Sequence, residues 1–179
     1  MVAAVGVALV VGFVVWGLAA VHPGGPMTAD WEPHGHSVAC RPDPLDGPGD
    51  LTQGIGATLP GGLTILSVHL VGAHGVSLVD AAVGKVELGA DGAYVPPGTA
   101  VGWPALDRST MSVSSLVPAA GLRTPAGGNR MLVLHLWLDE PQRVPAFDDV
   151  AVVYRSGLFR YEARFGIGYH YLTDGACGR

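Results

Sequence analysis

Phe159-Arg160-Tyr161-Glu162-Ala163-Arg164-Phe165-Gly166-Ile167-Gly168-Tyr169-His170-Tyr171 alternates with a period of two residues. Phe159, Tyr161, Ala163, Phe165, Ile167, Tyr169 and Tyr171 fall on one side, and Arg160, Glu162, Arg164, Gly166, Gly168 and His170 on the other. Side chains of an extended chain point to opposite faces in turn, so the stretch predicts one half-buried antiparallel strand with an aromatic inner face. Val150–Arg155, just upstream, is a second extended run, and Ser156-Gly157 between the two predicts a hairpin turn.

The same period recurs toward the N-terminus. In Met131–Leu138, Leu132, Leu134, Leu136 and Leu138 face one way and Val133, His135 and Trp137 the other. In Leu63–Val71, Leu66, Val68 and Leu70 alternate with Ile65, Ser67 and His69. Asp91-Gly92 predicts a turn from Val83–Leu88 to Ala93–Val95, and shorter strands are expected at Val76–Val79, Ala100–Trp103 and Ser112–Val117. Pro118–Asn129 reads as a loop. Strands at this spacing, without an amphipathic helix, predict a mainly β domain over residues 63–179, an immunoglobulin-like antiparallel β-sandwich. Composition agrees: charged residues are 14% of the chain, and Gly (27) and Pro (14) make up much of the 179 residues.

Ahead of this domain lie two segments of different character. Val2 to Val21 is apolar throughout and uncharged, and about 20 helical residues span the roughly 30 Å hydrocarbon core of a bilayer. Residues 1–21 are therefore expected as a transmembrane anchor or an uncleaved signal. Asp30 and Glu32 follow the run and the first Arg is Arg41, so no basic flank holds the following chain in the cytoplasm. The domain is expected outside, on a single-pass protein of the cell membrane. Residues 22–62 carry Pro23, Pro26, Pro33, Pro42, Pro44, Pro48 and Pro60 among Gly and Asp, and are expected as an extended linker holding the domain off the membrane.

Cys40 and Cys177 are the two cysteines, and in an oxidising compartment they are expected to form a disulfide tying the linker to the tail. The net charge of −5 argues against a nucleic-acid binder, which needs a basic face to neutralise phosphates, and equally against a second, electrostatic attachment to anionic lipid. No G-x-S-x-G, S-x-x-K or H-E-x-x-H motif occurs, so no enzymatic activity and no cofactor is expected.

Two constellations remain. His34 and His36, four residues before Cys40, and the strand-face residues His69, His135 and His170 are candidate copper or zinc ligands, because imidazole is a good ligand for both metals. Arg155, Arg160 and Arg164 gather at the last hairpin, where guanidinium forks suit an anionic group of a glycan, lipid or protein. The sequence thus points to a non-catalytic interaction or accessory module of the cell envelope. It would contact the bilayer through residues 2–21 and an envelope protein through its domain. The alternative is an extracytoplasmic copper- or zinc-binding protein.

Overall fold

The computed structural model describes residues 19–29, 36–40, 48–55, 57–86, 99–103, 113–125, 130–139, 144–166 and 168–172. Every element among them is a β-strand. Pairing within the two larger sheets is antiparallel except where β1 (Val21–Pro23) joins β13 (Phe159–Phe165). The apolar run before Ala19 lies outside the described residues, and among the described residues no helix is long and apolar enough to cross a membrane.

A four-stranded sheet has the order β1, β13, β12 (Asp149–Ser156), β6 (Thr64–Val71). A five-stranded sheet has the order β8 (Thr99–Val101), β4 (Gly49–Ile55), β10 (Arg130–Leu138), β7 (Val76–Val86), β9 (Val113–Pro118). Two smaller sheets complete the set. One orders β11 (Ala146–Phe147), β14 (Gly168–Leu172) and β3 (His36–Cys40), and the other pairs β2 (Thr28–Ala29) with β5 (Ala57–Thr58).

One apolar cluster joins these layers. The five-stranded sheet contributes Leu51, Ile55, Val83, Leu132, Leu134, Leu136 and Leu138 to it. The four-stranded sheet contributes Ile65, Val150, Val152, Tyr154 and Phe165, and the three-stranded sheet Phe147, Tyr169 and Tyr171. The four alternate leucines of β10 are completely buried, and each such side chain stabilises the fold by roughly 1.5–3 kcal/mol relative to exposure. The opposite face of β10 is covered as well: Met131 and Val133 are buried beneath Trp103 and Leu116. That double burial is why the strand reads as an almost continuous apolar run.

The last hairpin forms as the sequence predicts. Ser156 pairs with Phe159 across Gly157-Leu158, and of the two turn residues only Gly157 has positive φ (60°), the signature of a type II′ turn. The long alternating strand, by contrast, is two strands. β13 ends at Phe165 and the chain resumes as β14 in a different sheet, with Gly166 and Gly168 at the break. Glycine has no side chain to pack within a sheet and eases such a bend. The alternation survives the crossing, because Phe165, Tyr169 and Tyr171 are all buried. A second difference is β7, a single strand where Val76–Val79 and Val83–Leu88 were expected to be separate. Asp91-Gly92 and Ala93–Val95 lie outside the described residues.

The largest correction concerns residues 22–62. The described parts of this segment are not a linker but belong to the folded unit. β4 lies between β8 and β10 in the five-stranded sheet, with Leu51, Thr52, Gln53 and Ile55 all at 0% exposure. Its buried polar side chains are satisfied. Thr52 Oγ1 donates to the Gly102 carbonyl, Gln53 Nε2 donates to the Gly54 carbonyl at 3.0 Å, and Gln53 Oε1 accepts from Thr99 Oγ1 at 2.6 Å. Further upstream, the Tyr154 hydroxyl donates to the Gly24 carbonyl at 2.8 Å and accepts from the Met27 N–H at 3.2 Å. Met27 itself is in the core cluster. At Gly25 φ is +97°, and a Cβ would overlap the Tyr154 hydroxyl and the Tyr161 ring, so this position requires glycine.

Burial pushes the Tyr154 phenol above its ordinary pKa; the Met27 N–H opposes the rise and Tyr161 adds to it. Tyr171, buried against Gln53 and Tyr169, is raised further. Both phenols are held neutral by the fold, so the stability they confer is complete below about pH 10 and is lost as pH rises through their folded values. Replacing Tyr154 with Phe leaves the Met27 N–H and the Gly24 carbonyl without this partner. The variant is expected to lose about 1–3 kcal/mol in urea melts at pH 7 and to show a shallower decline than wild type above about pH 10. An unchanged midpoint at pH 7 would show that the tyrosine does not hold the N-terminal segment.

Candidate functional site

On the β10 face opposite the leucines, His135 lies between Thr52 of β4 and Asp80 of β7. Its Nε2 is 2.6 Å from Asp50 Oδ1, and its ring stacks on the Trp103 indole with centroids 4.8 Å apart and planes within 1°. The side chain of His135 is 13% exposed, against 45% for Asp50, so the imidazole is enclosed while its carboxylate partner reaches solvent. The turn carrying Trp103 is held to β4 twice: the Gly102 N–H donates to the Asp50 carbonyl at 2.9 Å, and its carbonyl accepts from Thr52.

This triad contains an acid–imidazole pair, the usual means of activating a nucleophile. The neighbouring hydroxyl, Thr52, instead spends its proton on the Gly102 carbonyl. In its packing the arrangement is a latch: the His135 ring, bonded to Asp50, stacks on the indole that covers Met131 and Val133. Sequence reading found His135 but neither partner. Asp50 is 85 residues away and Trp103 sits on another strand's turn, so no local spacing announces the contact.

The other histidines are dispersed. His69 is exposed on β6 opposite Ala151, and His170 lies on β14 opposite Ala146 and Val38. His69, His135 and His170 therefore belong to three different sheets. His36 begins β3, paired with Gly168, and His34 lies outside the described residues. Among the described residues, no group of three His, Cys, Asp or Glu side chains is placed to hold a metal ion. Cys40, at the end of β3, is in register with Leu172 of β14, while Cys177 lies outside the described residues.

The arginines are brought together, though not as a set of three. Arg155 and Arg160 are direct cross-strand partners at the hairpin, both exposed. Arg164 instead engages Glu162, its Nε 2.9 Å from Oε1, and this hydrogen-bonded carboxylate holds the guanidinium above its ordinary pKa. The aromatic stripe divides the same way. Phe165, Tyr169 and Tyr171 are core, whereas Phe159 is 43% exposed at the hairpin tip.

A last feature lies at the far side of the four-stranded sheet. β6 is its edge, and beyond Ile65, which bonds to Leu122 and Gly121, no strand among the described residues pairs with that side. Alongside runs a groove of about 250 Å³ lined by Leu66, Val68, Leu78 and Val79, with Asp80 and Ala119. Neither a family model, nor a curated protein, nor a solved structure matches the chain.

The latch makes a measurable statement. In a double-mutant cycle of Asp50→Asn and His135→Ala followed by urea unfolding, the two residues are expected to couple by about 0.2–1 kcal/mol, the range for a partly exposed pair. Strictly additive effects would show that the contact contributes nothing to holding the turn.

Proposed function

We propose that this protein is a single-pass, membrane-anchored interaction module of the cell envelope, with its domain outside the cytoplasm and no catalytic role. In this reading residues 2–20 span the bilayer, Val21 already belongs to β1, and the two large sheets are the layers of an immunoglobulin-like β-sandwich. The reading is supported above all by the edge of β6. A strand edge left without a pairing strand among the described residues, beside an apolar groove, suits an extended segment of a partner protein, which adds main-chain hydrogen bonds at the edge and places alternate side chains in the groove. The partner is accordingly an envelope protein that offers an extended apolar segment.

The test is photo-crosslinking in native membranes. A photoreactive amino acid replacing Ser67, exposed on β6, is expected to give one dominant protein adduct whose crosslinked peptide is extended and apolar. The same label at Val117, on the edge of the other sheet, is expected to give none. Equal labelling from both positions, or no protein adduct from Ser67, would overturn the interaction reading.

The disulfide between Cys40 and Cys177 belongs to the same proposal. Parallel pairing of β3 with β14 brings Cys40 beside Leu172, a short way upstream of Cys177. The Cys40→Ser variant is expected to unfold about 2–4 kcal/mol more easily than the oxidised wild type, and to match the wild type in reductant. Identical wild-type midpoints with and without reductant would contradict the bridge.

A further inference from the structure

The pairing of β1 with β13 fixes where the apolar run leaves the domain. The strands are parallel, with Val21 in register with Arg160 and Pro23 with Glu162. The chain upstream of Val21 therefore emerges at the end of β13 that carries the hairpin turn, beside Phe159 and Leu158. Three of the seven exposed large hydrophobic side chains among the described residues gather at this end: Leu158 at 75%, Val21 at 44% and Phe159 at 43%. His22 packs against the Phe159 ring, centroids 5.8 Å apart, and braces it there.

Directly behind the tip runs a row of arginines. Arg160 pairs with Arg155, Arg155 with Thr64, and Thr64 with Arg123, so all three guanidinium side chains share one register line on the outer face of the sheet. Among the described residues no carboxylate forms an ion pair with them. Glu162, the nearest acid along β13, is engaged by Arg164, and Asp149 lies at the opposite end of β12. Like charges placed opposite each other on a sheet are destabilising unless something else neutralises them.

We infer that this end of the domain seats on the bilayer surface, with Leu158 and Phe159 entering the headgroup region and Arg123, Arg155 and Arg160 binding the phosphates of anionic lipid. The inference rests on the reading of residues 2–20 as a membrane span. The net charge of −5 does not oppose it, because charges separated by more than a Debye length of about 8 Å are screened from each other, and the row is locally cationic. An apolar tip backed by a row of arginines is an arrangement that binds an interface both by burial and by charge. The row, with Val21 at its end, would then hold the sheet at a fixed height on the membrane.

The experiment uses the full chain reconstituted into vesicles of phosphatidylcholine alone or with phosphatidylglycerol. A diazirine amino acid replaces Leu158 or, as control, Val79, and lipid adducts are counted by mass spectrometry. Labelling at Leu158 is expected to exceed that at Val79 and to rise with phosphatidylglycerol. Each arginine-to-glutamine change (R123Q, R155Q, R160Q) is expected to reduce that rise about fivefold, and raised salt to weaken it. Chains that float with vesicles but label Leu158 no more than Val79, or equally in both lipids, would overturn the inference and leave the anchor standing. Chains that do not float would remove the anchor and the inference with it.

Discussion

The hydroxyl of Tyr154 holds two backbone groups at once, the Gly24 carbonyl and the Met27 N–H, and the placement of the N-terminal chain depends on it. Tyr154 is completely buried in the centre of the four-stranded sheet, with Tyr161 stacked on it at 5.6 Å between centroids. The segment it grips has to run close over both rings, which Gly25 permits and a larger residue would not. Once the segment is held, Met27 fills the core and β1 is set against β13. A buried phenol left without partners would cost the fold about 1–3 kcal/mol, so the two sides of the contact depend on each other.

This grip changes the physical picture of attachment. A Pro-rich linker would let the domain range freely at the end of an anchor, as chain statistics dictate for a flexible segment. Here the first residues after the apolar run are already a strand of the sheet. On the proposed membrane reading, the domain has no stalk. Its orientation toward the bilayer is set by the parallel pairing of three residues, and its β6 edge and groove are held in a defined direction relative to the surface.

Much of the β architecture was legible because one buried face and one wet face write a period of two into the sequence. β12, β13 and the turn at Gly157 follow from that signal. The segment 22–62 was misread for the complementary reason. β4 is buried on both faces, and its Thr52 and Gln53 are hidden polar residues satisfied by Gly102, Thr99 and Tyr171, so no alternation marks the strand. Prolines around it add the appearance of a linker. The break at Gly166 was also hidden, since Phe165 and Tyr169 keep the same parity across a change of sheet. Of the candidate side chains, Arg155 and Arg160 were recognisable from their hairpin positions. Arg123 was not, because its place in the row depends on a bridge to Thr64 that only the tertiary fold creates.

Hydrogen exchange on the unmodified full chain in lipid bilayers tests the central claim most directly, read at the amides of Gly24 and Met27. These donate to the Glu162 carbonyl at 2.8 Å and to the Tyr154 hydroxyl at 3.2 Å. Integration of the segment into the domain predicts that both exchange far more slowly than an unstructured chain, at rates approaching those of β12 amides. Exchange at the rate of a free peptide would contradict the account and return residues 22–29 to the status of a linker.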